Sequence, residues 1–111
     1  MDSTANIGRI KRKIGDYVSR ASPGLLNILE LYCRGDSGLD CVTLLLEEPG
    51  KLKDIIMRIY VSPETVRFVA RLFLNPLAEV CGLGIEELIR LFMERPTKLR
   101  EVLQQALTHA T

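Results

Sequence analysis

The feature that most constrains the fold is a 17-residue apolar pattern that occurs twice, 47 residues apart, with a proline inside each copy. Asp40 to Ile56 reads D-C-V-T-L-L-L-E-E-P-G-K-L-K-D-I-I, and Glu87 to Leu103 reads E-L-I-R-L-F-M-E-R-P-T-K-L-R-E-V-L. Leu44/Leu91, Glu47/Glu94, Pro49/Pro96, Lys51/Lys98 and Leu52/Leu99 are identical. Asp40/Glu87, Lys53/Arg100, Asp54/Glu101 and Ile55/Val102 keep charge or shape. A segment repeated at fixed spacing defines an architectural unit, and this one reads as a duplicated helix–proline–helix. It says how the chain is built and nothing about chemistry.

The apolar spacing is helical throughout. Leu52, Ile55, Ile56, Ile59 and Tyr60 follow the i, i+3, i+4, i+7, i+8 order of one helix face, and Leu99, Val102, Leu103, Ala106 and Leu107 repeat it. Val66, Val69, Ala70, Phe73, Leu74 and Leu77 make a third stripe, with Arg67, Arg71, Asn75 and Glu79 opposite. Start and stop signals punctuate these runs. Ser22-Pro23 and Ser62-Pro63 each offer a hydroxyl cap before a proline at the first helical position. Ser37 and Asp40 form an approximate capping box. Gly84 precedes Glu86 and Glu87, whose charges suit a helix amino terminus. Glu48-Pro49 and Arg95-Pro96 end one helix and start the next, because the residue before proline avoids the helical well. Asn75-Pro76 predicts a kink or restart.

These signals predict helices over about 5–20, 23–33, 38–47, 50–60, 63–74, 76–82, 85–94 and 96–108. The expected fold class is all-α: a compact bundle of about six to eight short helices in a single domain over 1–111. A basic amphipathic helix over 1–20 precedes two similar three-helix units, over 22–60 and 62–108, that share one core. The second unit carries about seven extra residues, the Asn75–Cys81 region.

The residues that could carry chemistry are few. His109 is the one histidine and stands near the carboxyl end, where the expected roles are a cap on the last turn or a solvated side chain. Cys33, Cys41 and Cys81 lack the close paired spacing of zinc ligands and sit among apolar residues, so each reads as a small buried thiol. No phosphate-cradling glycine motif is present, and Gly82-Leu83-Gly84 reads as a helix stop and start. Glu47-Glu48 and Glu86-Glu87 are neighbours whose side chains diverge by about 100° on a helix, so neither pair converges on a substrate. The expectation is a protein that is not an enzyme, with no cofactor, no metal and no small-molecule substrate.

Binding is the remaining class. Residues 1–20 hold five basic side chains against two acidic ones, while the rest of the chain is slightly acidic. Arg9, Lys11, Arg12 and Lys13 form the cationic run, and Ile7, Ile10, Ile14 and Tyr17 line the opposite side at helical spacing. On a helix, Arg9, Arg12 and Lys13 point outward and could neutralise phosphates, which makes an accessory nucleic-acid-binding protein the alternative reading. The leading expectation is a non-catalytic interaction or adaptor module, with a second copy of the chain as its first partner. The continuous apolar runs Leu44, Leu45, Leu46 and Phe92, Met93 are the interface candidates, on the argument that some of them must face outward. No run is long and apolar enough to span a bilayer and the start lacks a secretory pattern, so the expected compartment is the cytoplasm. Ten arginines against five lysines fit a thermophilic source.

Overall fold

The structure, a computed structural model, describes residues 3–109. Seven α-helices and no strands occur among them: α1 (Ser3–Ala21), α2 (Leu25–Ser37), α3 (Cys41–Glu47), α4 (Pro49–Ile59), α5 (Pro63–Cys81), α6 (Ile85–Glu94) and α7 (Pro96–His109). The all-α class expected from the periodicity is the class observed.

The two proline breaks have the same local shape. Glu48 lies at φ −142, ψ 68 and Arg95 at φ −141, ψ 67, both outside the helical well that proline denies to the residue before it. Each closes the helix behind it with one bond, Glu48 N–H to Leu44 O and Arg95 N–H to Leu91 O, both 2.7 Å. Each then opens the next helix, its carbonyl accepting from Leu52 N–H at 3.3 Å and from Leu99 N–H at 3.0 Å respectively. A proline at the first helical position costs no hydrogen bond, because that N–H has no intrahelical partner.

In each half, the longer first helix touches both helices that follow: α2 packs on α3 and α4, and α5 packs on α6 and α7. The halves interlock, since α4 meets α6 and α7 while α3 meets α7. At the join, the Gly50 α-carbon faces the Pro96 ring so closely that an added Cβ would sit 3.4 Å from its Cγ. Lys53 Nζ on α4 donates to Met93 O at the end of α6, 2.9 Å away, a cation placed on the negative end of a helix. The buried side chains form one core in which Leu45, Leu52 and Ile56 are joined by their aligned counterparts Phe92, Leu99 and Leu103.

Three boundaries differ from expectation. Ser22-Pro23 is a turn, with Leu25 N–H bonded to Ser22 O at 3.1 Å, and α2 starts after Gly24. Gly24 lies at φ 89, a left-handed conformation that glycine adopts without steric cost, so the cap moves past the proline. Asp40, rather than Ser37, caps α3: its carboxylate accepts from Thr43 N–H at 3.4 Å and from the Thr43 hydroxyl. Asn75-Pro76 neither ends nor restarts a helix; α5 runs through it to Cys81. Losing one backbone bond at Pro76 is outweighed by burial, because Leu72, Phe73, Leu74, Pro76 and Leu77 are all enclosed. The residues that make the second half longer are thus further turns of α5.

Leu45→Ala and Phe92→Ala each delete a fully buried side chain at matched places in the two halves. Each is expected to lower unfolding free energy by about 2–5 kcal/mol, read from the urea midpoint of the purified variants. An effect below about 1 kcal/mol at either site would show that it does not belong to the shared core.

Candidate functional site

The interface candidates Leu44, Leu45, Leu46 and Phe92 lie in the chain's own core. The reason is enclosure: α3 is packed on by α1, α2, α4 and α7, so residues 41–46 are covered on every side. Met93 is half-buried against that core, and its carbonyl is the one that Lys53 caps. None of the four leucine and phenylalanine side chains is available to a partner, which corrects the expectation that some must face outward.

The uncovered apolar surface is on α2. Leu25, Leu29 and Cys33 form its buried row. Leu31, 76% exposed, stands about 180° around the helix from that row, and Ile28 and Tyr32 flank it at 49% and 47%. Gly24 and Gly35 are exposed at the two ends of this row, one turn beyond Ile28 and Leu31 respectively. Asp36, at the carboxyl end of α2, pairs with Arg58 of α4, next to the exposed Met57. The sequence signal for this face was α2's second set of apolar residues at i, i+3, i+4, which a single buried row does not need.

The second surface is on α1. Ile14 and Val18 are buried, with Ile7, Ile10 and Tyr17 packed against the core beside them. Asn75 Nδ2 on α5 donates to Tyr17 Oη at 2.9 Å, fixing the rotation of α1 on α5. That rotation leaves Arg9, Arg12 and Lys13 exposed, and with Asp16 and Arg20 they line a shallow recess of about 230 Å³. Lys11 lies at the edge of the buried side and is half-covered. Among the described residues, no carboxylate is paired with Arg9, Arg12 or Lys13.

Several titratable groups elsewhere are held in structural pairs. Glu30 accepts from Arg34 Nε at 3.1 Å and, through its other oxygen, from Cys41 N–H at 2.9 Å. Glu86 pairs with Arg71 and Glu87 with Arg90, each at 2.7 Å, while Glu47 and Glu48 are exposed at the end of α3. No group of three or more His, Cys, Asp or Glu side chains that could hold a metal ion occurs among the described residues. Cys33 and Cys41 are fully buried side by side. The Cys41 thiol holds Cys33 below the ordinary thiol range, while Cys33 and burial together push Cys41 far above it. Burial pushes Cys81 up as well. The His109 side chain lies outside the described residues. No helix among the described residues is long and apolar enough to cross a membrane.

No family model, curated protein or solved structure matches the chain. Its surfaces are therefore read on their own physical chemistry.

Tyr17→Phe removes the hydroxyl that Asn75 bonds and leaves a half-buried amide without its partner. The expected cost is about 1 kcal/mol in the urea midpoint, with amide exchange in α1 accelerating more than in α4 or α7. Uniform acceleration across all three helices would mean that the bond does not specifically anchor α1.

Proposed function

We propose that this chain is a non-catalytic protein-interaction module whose contact surface is the exposed apolar row of α2. One observation carries the reading: Leu31 is the centre of an apolar face on a helix whose core-facing side is already filled. Leaving such a row in water forgoes about 25 cal/mol for each Å² that a partner would cover. Contiguous exposed apolar surface is the usual mark of an interface. The first partner on this proposal is a second copy, because a twofold axis lets one patch serve both sides of a contact. An antiparallel α2 pair would set Ile28 against the partner copy's Leu31, with glycines 24 and 35 meeting at each end.

Because Leu31 is three-quarters exposed, Leu31→Glu is expected to leave stability within about 0.5 kcal/mol. The same change should lower the concentration-dependent rise in sedimentation coefficient at least tenfold along the concentration axis, since a buried charge opposes association by roughly 1.4 kcal/mol or more. A wild-type chain that sediments as a monomer across about a hundredfold concentration range would overturn the self-contact.

A second reading is supported by the exposed cations of α1. Arg9, Arg12 and Lys13 on one exposed flank, with Lys11 beside them, suit the backbone of a nucleic acid, and such contacts release counterions and weaken with salt. Replacing all four by alanine is expected to abolish retention of mixed-sequence DNA or RNA at about 50 mM salt and to flatten the salt slope by roughly 0.7–0.9 per lost phosphate contact. Absence of retention by the wild-type chain on both polymers would rule the reading out.

A further inference from the structure

Cys33 and Cys41 are eight positions apart in sequence and belong to different helices. The turn between them brings them together. Gly38, at φ 77, reverses the chain, and its N–H closes α2 on Arg34 O at 2.9 Å. The Ser37 hydroxyl donates to Cys33 O at 2.7 Å and accepts from Leu39 N–H at 3.1 Å, bracing the same turn from inside. Glu30 lies one helical turn before Cys33 and shares its side of α2. Its carboxylate accepts from the Cys41 N–H at 2.9 Å, so the first residue of α3 is drawn onto the part of α2 that carries Cys33. Both cysteines are fully buried. Cys81 differs: burial alone shifts its thiol.

We propose that Cys33 and Cys41 are a dithiol–disulfide pair, oxidised by a small-molecule disulfide to an intramolecular bond that staples α3 to α2. Attack can begin at either sulfur and ends at the same link, as it does from Cys33. The Cys33 thiolate attacks one sulfur of the small disulfide; that S–S bond breaks, a mixed disulfide forms and the first small thiolate leaves. Cys41 then gives up its proton, and its sulfur attacks Cys33 Sγ and displaces the second small thiolate. Two protein thiols are oxidised and one small disulfide is reduced to two thiols, with each released thiolate taking up one proton. Since neither sulfur touches solvent, exchange proceeds through opening of the Ser37–Asp40 turn, and the closed turn shields the finished bond from reductant.

The test uses the full chain and oxidised glutathione, with reduced glutathione as control, followed by acid quenching, alkylation and peptide mapping. The expected product is a single Cys33–Cys41 link with Cys81 alkylated, reversed by dithiothreitol. Its thermal midpoint should lie several degrees above that of the reduced chain. Cys41→Ser is expected to stop at glutathione joined to Cys33. Three alkylated cysteines in the wild-type map, a link that contains Cys81, or wild-type chain held at the mixed disulfide would each overturn the proposal. The wild-type map decides the matter even if the variant fails to fold.

Discussion

Proline placement is the constraint on which the architecture depends. Without Pro49 and Pro96, the apolar spacing would allow two long helices, from about residue 41 to 59 and from 85 to 109. Each would then run straight on, with no break between α3 and α4 or between α6 and α7. Each proline instead forces its predecessor out of the helical well, to nearly identical angles at Glu48 and Arg95, and the chain changes direction at both places. The two bends then meet, with Gly50 against the Pro96 ring. What looks like an interruption of helical structure is what lets α3, α4, α6 and α7 enclose common side chains.

The consequence for the surface is a division of labour among apolar residues. The most hydrophobic stretch, residues 41–46, is consumed entirely by the interior, because α3 is short and central. The apolar residues left over are on the outward sides of other elements: Ile28, Leu31 and Tyr32 on α2, Met57 on α4, Phe68 on α5 and Val61 in the connection between them. Hydrophobicity along the chain therefore does not rank positions by their availability to a partner. Position in the packing does.

The sequence made the helical class legible because a 3.6-residue period needs only local information. The proline junctions were legible for the same reason, as were Pro63 and Pro96 at the first positions of their helices. Ser22-Pro23 misled because the Gly24 that follows it takes a left-handed conformation and becomes the boundary itself. Asn75-Pro76 misled because the enclosure that offsets a missing backbone bond comes from other helices, α1 at the far end of the sequence among them. The interior fate of Leu44, Leu45, Leu46 and Phe92 was hidden likewise: periodicity gives the face of a helix, not the number of neighbours around it. The basic flank of α1 was readable, since isoleucines at 7, 10 and 14 orient the helix. The meeting of Cys33 with Cys41 was not, because it depends on the path of the chain through Gly38.

The lysine cap on α6 has a wider meaning. The ammonium of Lys53 comes from the first half of the chain, while the carbonyl it serves closes a helix in the second. Detaching the first half strips the end of α6 of its cap, and detaching either half bares the common leucines. The pieces on either side of residues 60–63 each bury side chains against the other, so a cut there exposes both.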